Sequence, residues 1–390
     1  MNAPTPSFLR GRDQAAKVVS LELFFDLVYV FAITQLSHFL LEHLTLLGAV
    51  QTATLWLAVW LGWQYTAWVT NWFNPDHLAI RWMLMAIMGV ALLVSAAIPD
   101  AFGDQGALFA FSFAAIQVGR TVFVLWNLGR AHPLAPNFQR ILFWLSVSAA
   151  CWIAGGLSEG NWRLGFWLLA AACEYLSPMA GFPVPGLGRS HTSDWTIDGG
   201  HLAERCQLFV IIALGESVLA IGASFARAAH PDLSLWMAFL VSFIGCVAMW
   251  WMYFDTSSGD AAHVIEHSQD PGRLGAYFHY LHVLLIAGVI VCAVADDLIV
   301  AHPMDPIKGK YIAVLIGGPV IYLLGNALFK RVVYGSFPLS HAAGMAGLLL
   351  LAPLMPGMRL IEAGALTTLV LVAVTAREAF ARRKIAVANG

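Results

Sequence analysis

The sequence predicts an all-α polytopic membrane helical bundle, about twelve transmembrane helices arranged as two parallel six-helix repeats. Three observations carry that expectation. Of 390 residues, 59% are hydrophobic and only 11% charged, with a mean hydropathy of +0.72; soluble domains carry roughly a quarter of their residues as charges. Apolar runs close to the ~20 residues that span a bilayer recur along the whole chain. Alternating strands of membrane-barrel type are absent, and a chain in lipid must satisfy its backbone groups internally, which leaves helices.

Taken in order, the runs predict helices over 19–42, 49–72, 79–99, 106–128, 138–157 and 162–180, then 203–226, 233–254, 273–295, 310–330, 338–355 and 358–382. Turn chemistry separates many of them: Asn74-Pro75-Asp76, Pro99-Asp100, His132-Pro133, Ser158-Glu159-Gly160, His230-Pro231-Asp232, Asp270-Pro271-Gly272 and His302-Pro303. The polar segment 1–18 reads as a cytoplasmic tail rather than a signal peptide. Segment 19–180 forms the first repeat, 181–200 a Gly/Pro/Ser-rich cytoplasmic linker, 201–384 the second repeat and 385–390 a C-terminal tail. The duplication rests on polar residues recurring in successive helix pairs: Asp26 with Gln207, Gln35 with Glu216, Trp63 with Trp251 and Asn127 with Asn326. Lys and Arg concentrate on the side of the termini, and Arg163, Arg227, Lys308, Lys310 and Arg359 fall opposite, so both termini are expected in the cytoplasm.

The formal net charge of −2 gives no basic surface for nucleic acid. No GxxxxGK[ST] or GxGxxG precedes a helix, so no nucleotide cofactor is expected. The five cysteines lie in apolar stretches without CxxC spacing and predict neither disulfides nor a thiolate metal site. The expected partners are the bilayer and an ion or small-molecule ligand, with oligomerisation left open.

Function is sought where the membrane segments carry charge, because intramembrane ionisable groups are costly and mark sites. Glu22 and Asp26 share one face of the first helix. Glu22 lies at the helix start, where a snorkelling or capping role competes with a functional one. Arg120, roughly 12 Å from the cytoplasmic end of the fourth helix, falls in depth between Asp26 and the deeper Glu216, and reads as their counter-charge. These residues, with Gln207 and Asn127, form a candidate ion or substrate pathway. A second cluster comprises His201, Glu204 and Arg205, at a helix start marked by Asp198, together with His279 and His282. The paired histidines raise the question of a metal, yet no HExxH-type motif supports one, and hydrogen-bonding histidines are expected instead. Trp60 and Trp63 lie deep enough to pack the core or wall a pocket.

The segments Glu22-Leu-Phe-Phe-Asp26, His201-Leu-Ala-Glu204-Arg205 and Phe209-Val-Ile-Ile-Ala-Leu-Gly-Glu216-Ser217, with Trp251-Met-Tyr253 and Tyr280-x-His282, resemble the bacterial low temperature requirement protein A (LtrA) family. The resemblance implies a polytopic bacterial inner-membrane protein linked to growth in the cold, and it implies no biochemical activity. Three functional readings follow: a transporter or channel for protons, cations or a small solute; an intramembrane enzyme, metal-dependent and lipid-directed; and a non-catalytic membrane protein of cold adaptation. The first is preferred, so enzymatic activity is not the leading expectation.

Overall fold

Long apolar stretches punctuated by Pro, Gly and Asp become helices, because hydrocarbon leaves their backbone groups no other partners. A computed structural model describes residues 7–10, 17–192, 197–227, 230–255, 264–265, 268 and 270–389. The predicted tail and linker residues 1–6, 11–16 and 193–196, and the terminal residue 390, lie outside it. The described residues form α1 (Ser20–Glu42), α2 (Leu46–Trp72), α3 (Leu78–Ala97), α4 (Gly106–Leu128), α5 (Ala135–Gly156), α6 (Gly160–Met179), α7 (Gly199–Ala226), α8 (Leu233–Phe254), α9 (Pro271–Ala301), α10 (Gly309–Tyr334), α11 (Leu339–Leu351) and α12 (Leu360–Asn389). β-type pairing among them is confined to isolated bridges such as Leu9 with Phe73.

Among the described residues, ten helices are long and apolar enough to cross a membrane. The two that fall short are α6, which carries Arg163 and Glu174, and the shorter α11. Of the predicted ends, that of α12 moves furthest, from 382 to Asn389, and that of α9 is next. The α9 helix runs to Ala301 rather than 295, so Asp296 and Asp297 lie inside a spanning helix.

The chain divides into two compact units. The first comprises residues 1–39, 46–205 and 265–275. There α4 packs on α3 and α5, α5 on α6, and α2 on α4 and α6. Gly156 of α5 permits that closeness: a Cβ at this position would strike Ala110 and the Gly106 carbonyl of α4. A core of Phe109, Phe113, Trp152 and Trp167 fills the space between α4, α5 and α6. Where the sequence predicts a linker, Gly181–Ser190 is fastened to α5: Arg140 donates to the Leu187 carbonyl (2.8 Å) and Ser190 Oγ (2.9 Å), and Trp144 to the Pro183 carbonyl (3.0 Å).

The second unit comprises residues 40–45, 206–264 and 276–390. Here α8 packs on α12, and α11 on α10 and α12. At Gly288 of α9 a Cβ would meet the Tyr322 backbone of α10, and at Gly325 of α10 it would meet Leu285 of α9, so the two backbones approach directly. Tyr322 then donates its hydroxyl to the Met249 carbonyl of α8 (2.5 Å).

Candidate functional site

Glu22 and Asp26 stand at the third and seventh positions of α1, and His201 and Arg205 hold the same positions in α7. Each pair is separated by one helical turn and projects from one face. The structure brings the two faces together: His201 Nε2 meets Glu22 Oε1 at 2.9 Å, while Arg205 reaches Asp26 Oδ1 at 2.5 Å and Oδ2 at 3.2 Å. A third guanidinium bond runs from Arg205 Nη1 to Glu22 Oε1 (3.0 Å), so one arginine bridges both acids. All four side chains are fully buried.

Other elements complete the network. Trp63 of α2 donates its indole N–H to Asp26 Oδ1 (2.7 Å), and Thr70 Oγ1 accepts from Arg205 Nη1 (3.1 Å). Arg10 donates to Glu22 Oε2 (2.9 Å). Its segment is pinned beside the end of α2 by backbone bonds from Arg10 N to the Trp72 carbonyl and from Asn74 N to the Phe8 carbonyl, each 3.0 Å. Glu22 Oε2 also accepts the Val19 N–H (3.1 Å), a capping contact at the start of α1. The capping role therefore holds for Glu22, but a snorkelling one does not, because the carboxylate is enclosed. Each of the four carboxylate oxygens has a donor, the arrangement that offsets burial of charge.

The protonation of His201 follows from its neighbour. Asn71 accepts the Asp198 N–H at Oδ1 (3.0 Å) and donates Nδ2–H to the Asp198 carbonyl (2.9 Å), which fixes its orientation. Asn71 Nδ2 therefore faces His201 Nδ1 (3.1 Å) as a donor, and Nδ1 must accept. The ring is neutral, with its proton on Nε2 directed at Glu22. The 3.3 Å approach of Arg10 Nη2 to Nε2 sets donor against donor and is not a hydrogen bond. Asp198 Oδ1 caps α7 by accepting the His201 N–H (2.8 Å).

Arg120 is not the partner of Asp26; that position belongs to Arg205. Arg120 donates to Thr66 Oγ1 (3.0 Å), the Gly62 carbonyl (3.3 Å) and Gln117 Oε1 (2.5 Å). Gln117 passes the interaction on, donating to Glu174 Oε2 (2.5 Å), and Glu174 Oε1 accepts from Ser148 (2.5 Å) and Trp152 (2.8 Å). Arg120 and Glu174 thus form an ion pair bridged by an amide. Tyr29, one turn beyond Asp26 on α1, interacts electrostatically with Asp26, Arg205 and Arg120, and its hydroxyl packs at Gly62. Buried polar groups therefore run in succession from Arg10, whose side chain is 13% exposed, to the enclosed Glu174.

The remaining predicted residues lie elsewhere. Glu204 is exposed and accepts the Val18 N–H (3.4 Å). Asn127 is exposed and donates to the Phe123 carbonyl of its own helix (2.9 Å). Gln207, Glu216, His279 and His282 belong to the second unit, where Glu216 and both histidines are buried. His282 pairs through Nε2 with the Tyr253 hydroxyl (2.7 Å) and through Nδ1 with the Phe278 carbonyl (2.6 Å). Among the described residues, no group of three or more His, Cys, Asp or Glu is placed to hold a metal ion. Trp60 is buried against Trp63, their ring centroids 4.8 Å apart.

Sequence reasoning missed Arg10, Trp63 as a donor to Asp26, Asn71 and Glu174. Glu174 could have been found, since it is an acid inside a predicted span. The pairing across α1 and α7 also had a signal in the matched third and seventh positions.

The sequence model of the family described as bacterial low temperature requirement A protein (LtrA) matches residues 17–376, which include every group of this network except Arg10. The chain belongs to the LtrA family. A protein of Rhizobium meliloti (strain 1021), described as uncharacterized, is 36% identical over 359 residues, covering 92% of this LtrA chain and 88% of that protein. No solved structure matches it. Family membership and the spanning helices make this LtrA protein a multi-pass bacterial membrane protein.

Proposed function

We propose that the protein is a transporter or channel of the bacterial inner membrane and that the Glu22–Asp26–Arg205 network responds to protons. The observation that supports this reading is the charge balance of this network. Three guanidinium groups (Arg10, Arg205, Arg120) face three carboxylates (Glu22, Asp26, Glu174), with His201 neutral. With all four oxygens of Glu22 and Asp26 already occupied, direct cation coordination requires displacing a donor. A proton needs no such ligand shell: added to Asp26, it cancels the charge that holds Arg205 and leaves the guanidinium free to turn. The succession from Arg10 through Tyr29 to Glu174 extends farther than one packing contact requires. This reading keeps the two six-helix repeats, cytoplasmic termini and a role in cold growth as part of the proposal.

The test is flux in proteoliposomes under an imposed pH gradient. Asp26→Asn, Glu22→Gln and Glu216→Gln should abolish proton or proton-coupled flux while the protein remains folded by gel filtration. Normal flux in all three sinks the proposal. A second reading, a static lock that fixes α1 against the start of α7, is favoured by the saturation of the four oxygens. It predicts no flux in the unaltered protein.

A further inference from the structure

The second unit holds a carboxyl with the opposite surroundings. Asp296 lies in α9, five residues before its end at Ala301, or ~8 Å along the axis. It is 7% exposed, and its Oδ2 has no hydrogen-bond partner among the described residues. The groups that face it are the Ser242 hydroxyl of α8, the neighbouring Asp297, and the thiols of Cys246 on α8 and Cys292 on α9. Tyr322 of α10 adjoins those thiols. None of these groups is a cation. The nearby basic side chain, Arg227, is engaged by others: it donates to Ser224 Oγ (2.7 Å) and meets Asp297 at 3.4 Å, while Ser224 also bonds Asp297.

A surface cleft of about 460 Å³ opens beside this region, and Ser224, Arg227, Val300 and Ala301 contribute to its lining. Val300 and Ala301 stand one turn beyond Asp296 and Asp297 and on the same faces of α9. Ser224 both lines the cleft and bonds Asp297. Solvent, the 20%-exposed Asp297 and the buried Asp296 thus follow one another within about a turn of helix.

We propose that Asp296 is a proton-binding site of the second unit, loaded from the cleft through Asp297. The ligand chemistry selects the proton. Hard cations of the calcium type take six to eight oxygens, and Asp296 has one hydroxyl and two thiols beside it. A carboxylate buried without a counter-ion is strongly disfavoured, whereas the neutral acid suits an apolar wall and gains an O–H donor. Proton occupancy here is independent of whether the first unit carries flux, so a flux-inactive protein leaves this inference standing.

The test uses the full chain in detergent or nanodiscs. Dicyclohexylcarbodiimide reacts with protonated carboxyls in apolar surroundings, so peptide mass mapping should find the adduct on Asp296, declining at alkaline pH. Infrared difference spectra between acid and alkaline samples should show a protonated-carboxyl carbonyl band that Asp296→Asn removes and Asp297→Asn retains. An infrared band unchanged in a folded Asp296→Asn protein overturns the proposal, whatever the labelling. Suppression of both signals by millimolar sodium or calcium at fixed pH also overturns it, in favour of a metal-cation site.

Discussion

Asp26 and Asp296 are both carboxyls within spanning helices, and their surroundings have little in common. Asp26 receives two bonds from Arg205 and one from Trp63, and its neighbour Glu22 is equally enclosed. Among the described residues, Asp296 has no cation beside it and one of its oxygens has no hydrogen-bond partner. The difference teaches that intramembrane charge has two stable outcomes. It is neutralised by the protein, in which case disturbing it is costly, or it is neutralised by a proton, in which case the isosteric amide replaces it cheaply.

The comparison breaks most readily at Arg205. Arg205→Met removes the counter-charge of two buried acids and should lower stability by about 3–5 kcal/mol, read as the thermal unfolding midpoint in detergent. Its charge-balanced form, Asp26→Asn with Arg205→Gln, should recover most of that loss. Asn71→Ala should cost about 1–3 kcal/mol, because it strips partners from His201 and Asp198. It should also free the imidazole to exchange tautomers, so ring-nitrogen NMR should show Nε2–H alone in the unaltered protein and a mixture in the variant. Asp296→Asn should shift stability by under about 1 kcal/mol, in the range of a substitution that disturbs no network; a loss as large as that of Arg205→Met would erase the contrast.

The smallest effect belongs to Asp232, outside the spanning segments. The Leu235 N–H (2.9 Å) and Ser234 hydroxyl (2.8 Å) hold its carboxyl below the usual aspartate value. A lowered folded-state value means that the cap contributes above the unfolded-state pKa and is lost as pH falls through the folded one. Asp232→Ala should therefore lower the midpoint slightly at neutral pH and leave it unchanged in strong acid.

Much of the helical layout was legible, since apolar length and Pro/Asp/Gly breaks are local signals. Individual acids were legible as anomalies. Their partners were not, because Arg120 and Arg205 are equally basic in sequence and only packing decides that Arg205 meets Asp26. Arg10 lay hidden in a polar tail, which depth reasoning sets aside although Phe8 and Leu9 anchor it to α2. Asp296 was lost to a boundary: ending the ninth helix at 295 put it outside the membrane, whereas the helix continues through both aspartates to Ala301. The matched positions Asn127 and Asn326 show what local likeness leaves out, since one is exposed and the other buried and bonded to His341 (2.9 Å).

The charge-balanced pair separates a responsive network from a static lock most directly. Proteoliposomes holding the unaltered protein, Asp26→Asn, and the double variant Asp26→Asn with Arg205→Gln should be compared under one pH gradient. The account predicts that the double variant regains stability but not flux, because it can no longer exchange a proton for a guanidinium contact. Flux restored to the level of the unaltered protein by the double variant would contradict it.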